Sequence, residues 1–313
     1  MDDQKLLVSP APHFRKKRDT QAIMLDVIIA LMPALIASAI IFGWRALLVV
    51  SVCVVTCVLC ELGFQKLCKR PVTIKDLSAV VTGILLGFNL PHTIPIWQAV
   101  FGSVVAIVAV KQLFGGIGKN FANPAITARI VMMVSFASTM TSFSKIDGVS
   151  TATPLTQMGS NRLIDLFLGN HTGSLGETCA LAIILGGIYL LCRRVITWHI
   201  PFTFIGTVAL LGAIAGHHPI EYILCGGVLL GAFFMATDYS TSPSTSWGKV
   251  IFGIGCGFIT FIIRQFGGFE EGVSFAILLM NILAPYISTL TRKKPFGTKK
   301  AKKAKKAKGG SAK

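Results

Sequence analysis

Long apolar segments recur along almost the whole chain and are separated by short polar stretches. A helix of about 20 apolar residues crosses a hydrocarbon core of roughly 30 Å. The segments are rich in Leu, Ile, Val, Ala and Gly without strict alternation, so they predict helices rather than the strands of a membrane β-barrel. Several are short enough to indicate tilted or interrupted helices. The ten predicted spans are 22–42, 46–65, 76–90, 96–114, 122–140, 178–192, 200–216, 219–236, 248–264 and 273–290.

The composition places these helices in a lipid bilayer. Hydrophobic residues make up 53% of the 313 residues and charged residues only 14%, whereas soluble domains carry about a quarter charged residues. The formal net charge of +17 is concentrated in 15–18 and in the lysine run after Arg292. Basic clusters beside spans keep chain ends in the cytoplasm, so nucleic-acid binding is not expected. The sequence predicts an all-α polytopic membrane protein.

The distribution of Lys and Arg between the loops predicts the orientation. With the N-terminus inside, the inner loops hold Lys66, Lys69, Arg70, Lys75, Lys119, Arg193 and Arg194, and the outer loops hold only Arg45, Lys145, Arg162 and Arg264. This asymmetry favours ten spans with both termini cytoplasmic. The predicted parts are a cytoplasmic segment 1–21, five helices in 22–140, an outer loop 141–177, five helices in 178–290 and a disordered basic cytoplasmic tail 291–313.

Three short matches between the halves indicate an internal repeat. TGILLGF (82–88) resembles GGVLLGA (226–232), KQLFGG (111–116) resembles RQFGG (264–268), and an FG pair precedes each of the latter two. Five spans separate the copies, so two five-helix repeats would be inverted in the membrane. Such repeats place a binding site at their interface. Chance similarity of glycine-rich helices is the alternative.

Two loops of the repeats are candidates for ligand binding. In the first, Gly115, Gly116 and Gly118 allow close approach of backbone to a ligand, and Asn120 and Asn123, the latter before Pro124, offer amides and a helix cap. Tight packing of a re-entrant turn is the alternative. The second loop, 236–247, is rich in hydroxyls and carries Asp238. This carboxylate is either a cation ligand or a plain helix cap.

Other polar motifs indicate structure more than chemistry. Ser174 and Glu177 match the S-x-x-E capping box at the start of the sixth span. Cys53, Cys57 and Cys60 fall on one stripe of an apolar helix, where cysteine packs as a small hydrophobe. His217 and His218 lack a third ligand in spacing. No metal site, hydrolytic triad or P-loop is therefore expected.

The predicted outer loop contains the polar segment KIDGVSTATPLT (145–156). Its motif, formed by Asp147, Ser150, Thr151, Ala152 and Thr153, resembles the D-x-x-[ST]-x-A-T signature at which a flavin transferase esterifies the phosphate of FMN onto the final threonine. Thr151 stands where Gly or Ser is usual, and Thr153 is the expected attachment residue. Pro154 keeps Thr153 out of the α conformation.

Together with KQLFGGIGKN, NPA, SLGET, DYSTSP and RQFGG, this motif makes residues 20–290 resemble the NqrB/RnfD family, and the chain length favours its RnfD branch. The resemblance implies a bacterial inner-membrane electron-transfer component of an Rnf-type ferredoxin:NAD⁺ oxidoreductase, which translocates Na⁺ or H⁺. It implies covalent FMN facing outside, a flavin transferase for maturation, and the other Rnf subunits (A, B, C, E and G) as partners. It also implies a noncovalent riboflavin, for which Gly115, Gly116, Gly118, Asn120 and Asn123 and the partner loop 237–247 are candidates.

A secondary transporter or channel without a redox cofactor is the alternative function, because inverted repeats are a transporter architecture. The motif ending at Thr153 separates the two, since a transporter has no use for it.

Overall fold

The structure is a computed structural model that describes residues 19–142, 163–169, 171, 173–267 and 272–292. These residues form helices and connecting turns, and no strand occurs among them. Each of the ten predicted spans overlaps helical structure. The chain is thus an all-helical polytopic membrane protein, as the apolar pattern predicts.

Thirteen α-helical segments occur in the part of the chain that the structure describes, two of them continued by π-helix. They are α1 (Thr20–Phe42), α2 (Trp44–Leu67), α3 (Ser78–Phe88), α4 (Ile96–Val104, continued as π-helix over Val105–Gln112), α5 (Pro124–Ser135), α6 (Ala137–Met140), α7 (Leu163–Leu168), α8 (Ala180–Cys192), α9 (His199–Ile214), α10 (Pro219–Leu224), α11 (Val228–Leu230, continued as π-helix over Gly231–Met235), α12 (Ser246–Phe266) and α13 (Val273–Thr291). A 3₁₀ turn, Ile74–Asp76, precedes α3.

Four of these helices, α1, α2, α12 and α13, are long and apolar enough to cross a membrane by length and composition. Five others, α3, α4 with its π-helical continuation, α5, α8 and α9, are shorter apolar helices. Gly43, with φ of 73°, makes the single-residue turn between α1 and α2. Helices α1 and α2 therefore lie side by side from the start of the described chain.

Glycines bring two pairs of helices into backbone contact. A Cβ atom on Gly83 of α3 would lie 2.6 Å from the Cα of Val54 in α2, and one on Gly253 of α12 would overlap the Thr203 hydroxyl of α9. Both contacts exclude a side chain. In lipid, where no hydrophobic force drives helices together, such close packing is the main source of association. The pairs α2–α3 and α9–α12 are the most extensive helix contacts.

The eighth predicted span, 219–236, is an interrupted helix. It consists of α10 and α11, and Cys225, Gly226 and Gly227 break it, the two glycines having φ of 68° and 70°. Left-handed backbone at successive residues ends a helix and is inexpensive only for glycine. The apolar pattern does not register the break because the residues on both sides are buried.

Two further differences concern the predicted outer loop and its neighbour. The helix α7 lies inside 141–177, so this segment is not loop throughout. Arg264, which the charge pattern assigns to an outer loop, lies within α12, and its guanidinium turns inward to backbone carbonyls. Helices of the first predicted repeat contact helices of the second: α1 packs against α8, and α5 packs against α13.

Candidate functional site

A cavity that opens to the outside lies between α1, α3, α8, the π-helical end of α11 and the loops after α4 and α11. We call it the asparagine cavity because Asn120 and Asn123 line it, together with Asp238 and Lys111. Residues 120 and 238 are far apart in sequence and come from the two loops that the sequence singled out. The fold brings these two candidate loops to one site.

Asn123 is fixed by the helix that it starts. Its side-chain oxygen accepts hydrogen bonds from the backbone N–H groups of Ala125 and Ile126, and Pro124 occupies the first helical position of α5. The predicted cap is therefore confirmed. The amide nitrogen of Asn123 donates to the carbonyl oxygen of Met235 at 3.2 Å. The first residue of the site is thus tied to the end of the π-helical segment after α11.

Asn120 differs from Asn123 because one of its side-chain polar atoms has no hydrogen-bond partner among the described residues. Its side-chain Oδ1 is buried and accepts no hydrogen bond from the described residues. A buried polar atom without a partner is unfavourable by about 1–3 kcal/mol. An unsatisfied acceptor at the wall of a cavity is what a ligand donor would relieve.

Asp238 lines the cavity and is partly buried. The Ser240 hydroxyl donates to its Oδ2 at 2.8 Å, and the Thr241 hydroxyl donates to the same oxygen at 3.3 Å. Desolvation raises the pKa of the Asp238 carboxyl group above its usual value, against these hydrogen bonds, which lower it. Asp238 therefore caps its own loop and also presents a carboxylate to the cavity.

The three glycines of the first loop shape the turn that leads to Asn120. Gly115, Gly116 and Gly118 have φ of 112°, 90° and 81°, a conformation that favours glycine. None of the three is among the residues that line the asparagine cavity. Their geometry supports the turn, whereas the two asparagines supply the polar groups.

A buried ion pair supports one wall of the cavity. The Lys111 ammonium donates to Glu61 Oε2 at 2.8 Å and to the Ser78 hydroxyl at 2.6 Å. Gln112 and Gln65 donate to the other oxygen of Glu61, at 2.9 and 3.2 Å. Both charged side chains are almost fully buried. This pair was not predicted from the sequence, although an ionisable residue inside an apolar helix is itself a signal of function.

A second group of charged residues lies where α10 breaks. Arg264 donates through Nη1 to the Tyr222 carbonyl at 2.7 Å and through Nη2 to the carbonyls of Cys225 and Gly226 at 2.8 and 3.0 Å. These carbonyls lack helical partners because the helix stops there. One guanidinium thus satisfies the backbone at the break.

The loop before α8 completes this group, which we call the Glu177 cluster and define as Glu177, Arg129 and Arg264, whose charges interact. Oε1 of Glu177 accepts a hydrogen bond from the Ser174 N–H at 3.1 Å. The predicted capping box is otherwise wrong, because α8 begins only at Ala180 and the Ser174 hydroxyl has no partner among the described residues. The loop instead pairs with the end of α3, where Gly176 N–H donates to the Phe88 carbonyl at 2.8 Å.

Hydrogen bonds connect the asparagine cavity with the Glu177 cluster. Arg129 in α5 donates to Asn89 Oδ1 at 2.6 Å, and Asn89 Nδ2 contacts the Met235 sulfur at 3.7 Å. Met235 in turn accepts the hydrogen bond from Asn123 through its carbonyl. A polar path therefore runs from Asn123 to Arg129 through an otherwise apolar core. Arg129 was not predicted from the sequence either.

The residues of the flavin-attachment motif, Asp147, Ser150, Thr151, Ala152 and Thr153, lie outside the described residues. Within the described ranges, no three His, Cys, Asp or Glu side chains are grouped so that they could hold a metal ion. Cys53 and Cys57 are fully buried and reduced, as expected of small apolar side chains.

Known proteins resemble the chain over nearly its full length. The D subunit of the Na⁺-translocating ferredoxin:NAD⁺ oxidoreductase complex of Acetobacterium woodii is 47% identical over 98% of this chain and 100% of its own length. The D subunit of the proton-translocating ferredoxin:NAD⁺ oxidoreductase complex of Clostridium ljungdahlii is 39% identical over 94% of this chain and 96% of its own. The D subunit of an ion-translocating oxidoreductase complex of Marinobacter nauticus is 34% identical over 95% of this chain and 97% of its own length.

A family model described as the NQR2, RnfD, RnfE family matches residues 7–297. This range contains every helix described above and both loops of the asparagine cavity. The chain belongs to the NQR2, RnfD, RnfE family.

Proposed function

We propose that the chain is the membrane-embedded D subunit of an Rnf-type complex that couples electron flow between ferredoxin and NAD⁺ to the translocation of Na⁺ or H⁺. The observation that carries the proposal is full-length similarity to three proteins named as the D subunits of such complexes. It acts with the other Rnf subunits (A, B, C, E and G) and does not catalyse the reaction alone. Flavins supply the electron-transfer chemistry, and the chain positions them.

The first flavin is FMN, held covalently by its phosphate on Thr153. The motif from Asp147 to Thr153 supports this assignment, together with the family of the chain. A flavin transferase makes the phosphoester bond during maturation. A covalent bond suits a flavin on the outer face of the inner membrane, where no cytoplasmic pool can replace a lost molecule.

The second flavin is a noncovalent riboflavin in the asparagine cavity. An isoalloxazine ring has an apolar body and a rim of nitrogen and oxygen atoms, and the residues present fit both parts. Val81, Leu85 and Phe234 give apolar walls, and Asn120 offers a buried oxygen without a partner among the described residues. Asn123 and Lys111 add further polar groups to the wall.

The proposed topology has ten spans in two inverted five-helix repeats, with both termini in the cytoplasm and the flavin loop outside. Contacts of α1 with α8 and of α5 with α13 support it, because a two-fold axis brings equivalent helices together. Leu77 and Gly227, just before α3 and α11, also share a left-handed conformation, with φ of 61° and 70°. The sequence match of 82–88 with 226–232 uses a different alignment, in which Leu77 and Gly227 are not equivalent positions.

Thr153→Val is expected to abolish covalent flavin, since valine keeps the shape of threonine and lacks the hydroxyl that forms the phosphoester. The measurement is ultraviolet fluorescence of the denatured chain in a gel, after expression in a host that supplies the flavin transferase. Thr151→Val is the matched control and should remain fluorescent. A dark wild-type band would contradict the proposal and favour a transporter without a flavin, and a dark Thr151→Val band would move the attachment site.

Asn120→Leu is expected to weaken binding of the noncovalent flavin at least about tenfold, because leucine removes the buried oxygen that a flavin donor would satisfy. The measurement is flavin released by acid precipitation of the purified complex, with the covalent flavin counted separately in the pellet. Gln98→Leu removes a buried amide of α4 away from the cavity and serves as control. Equal release from the wild type and Asn120→Leu would exclude Asn120 from the site.

A further inference from the structure

The loop before α8 holds three buried oxygen atoms whose hydrogen bonds are unaccounted for. The Ser174 hydroxyl, the Thr178 hydroxyl and Oε2 of Glu177 have no hydrogen-bond partner among the described residues. Their residues are 0%, 1% and 5% exposed. Buried polar atoms in native proteins are nearly always paired, and an unpaired group indicates a water or an ion. Three such oxygens within five residues indicate a bound species.

The backbone around Glu177 is built to admit a carboxylate. A Cβ atom on Gly173 would lie 2.9 Å from Glu177 Oε1, and one on Gly227 would lie 2.8 Å from Oε2. A side chain at either position would displace the carboxylate. The carboxylate thus lies between the backbone of its own loop and the break between α10 and α11, in space that only glycines leave open.

The charge of Glu177 is not neutralised by a direct ion pair with any residue that the structure describes. Arg264 directs both of its terminal nitrogens to three carbonyls at the helix break, and Arg129 donates to Asn89. Both arginines interact with Glu177 by longer-range electrostatic attraction, without a hydrogen bond to its carboxylate. Oε2 of Glu177 therefore has no direct cationic contact among the described residues, and a cation that contacts it would stabilise the carboxylate.

We propose that Glu177 Oε2, with the hydroxyls of Ser174 and Thr178, binds a sodium ion. Carboxylate and hydroxyl oxygens are the ligands of hard cations. A proton would satisfy Glu177 alone and leave the two hydroxyls as they are. With one carboxylate and two neutral hydroxyls as its protein ligands, the ion is held weakly, and weak binding suits an ion that must be released in each cycle.

The inference rests on the proposed function in that a translocated cation needs a binding site along its path. It goes further by placing one such site in this chain and choosing sodium. The polar path from Asn123 through Met235 and Asn89 to Arg129 also leads from the asparagine cavity to this cluster.

The test uses the assembled complex in proteoliposomes and measures NAD⁺ reduction by reduced ferredoxin against Na⁺ concentration, together with ²²Na⁺ uptake. Glu177→Gln is expected to raise the apparent KM for Na⁺ about tenfold or more, as for the loss of one charged ligand. The rate at saturating Na⁺ should be largely retained. Thr178→Val should raise the same KM by a smaller factor. A purely structural role would lower the rate or the yield and leave the KM unchanged.

Thr260→Val is the matched control, because the Thr260 hydroxyl is equally buried but donates to the Cys256 carbonyl at 2.7 Å. Its KM for Na⁺ should equal that of the wild type. If Glu177→Gln does not assemble, Thr178→Val and Ser174→Ala decide the question. Unchanged KM values in these variants, or a wild-type complex that works without Na⁺ and takes up no ²²Na⁺, would overturn the inference.

The gel fluorescence of the chain separates this outcome from failure of the proposed function. A fluorescent chain in an active complex with unaltered Na⁺ dependence rejects only the sodium site. A chain without covalent flavin rejects the flavin-carrying function itself.

Discussion

Lys111→Met is expected to prevent accumulation of the folded chain, with a loss of about 3–5 kcal/mol in the free energy of unfolding. Methionine keeps the apolar length of lysine and removes the charge, so the Glu61 carboxyl group would remain buried without its cation. Ser78 would also lose the ammonium that donates to its hydroxyl at 2.6 Å. The measurement is the monodisperse fraction of detergent-solubilised protein as a function of temperature.

Lys119→Met is the matched control for this variant. Lys119 follows the same helix by a few residues but is exposed, and exposed charges contribute only about 0–1 kcal/mol. The double variant Lys111→Met with Glu61→Gln should recover part of the loss, because neither buried charge is then unpaired. Equal stability of Lys111→Met and Lys119→Met would show that the ion pair does not support the fold.

Arg264→Met is expected to cost about 3 kcal/mol or more, since three carbonyls at the break between α10 and α11 would lose their donor and each unsatisfied buried group costs about 1–3 kcal/mol. The carbonyls belong to Tyr222, Cys225 and Gly226. The loss should appear as a lower midpoint of thermal unfolding and as faster hydrogen exchange in α10 and α11, with α2 and α3 little affected.

Arg45→Met tests whether burial is the reason. The Arg45 guanidinium also donates to two carbonyls, those of His92 at 3.0 Å and Thr93 at 3.4 Å, but Arg45 is exposed and water can replace it. Its loss should therefore be small. A similar loss of stability in Arg45→Met and Arg264→Met would contradict the role given to the helix break.

Local features of the fold could be predicted where neighbouring residues decide them. The span predicted at 22–42 corresponds to α1 at Thr20–Phe42, because a long apolar run admits few other structures in lipid. The Asn123–Pro124 cap and the left-handed glycines of the first loop also follow from short-range sterics and hydrogen bonding. The capping box at Ser174 failed because the loop finds better partners on α3 than in a helix of its own.

The candidate site could be predicted only in part. The two loops that carry Asn120 and Asp238 were identified from their composition, but their meeting in one cavity was not. Lys111 and Glu61 belong to different helices, and no local pattern pairs them. Arg264 was assigned to a loop because an arginine near the end of an apolar run usually lies in water. Its partners are carbonyls that exist as acceptors only after α10 has broken.

The amino-acid pattern is sufficient to establish that the chain is helical and lies in a membrane, and to identify the short polar segments that interrupt the apolar runs. These properties follow from the hydrophobicity of contiguous residues and from backbone sterics, which act over a few residues. Which polar groups meet depends on the packing of the helices: Lys111 pairs with Glu61, Arg264 binds the helix break, and Asn120 and Asp238 line one cavity. Buried charges and amides need partners, and the packing of helices that are distant in sequence supplies them. The linear sequence does not show which of these residues become neighbours in space.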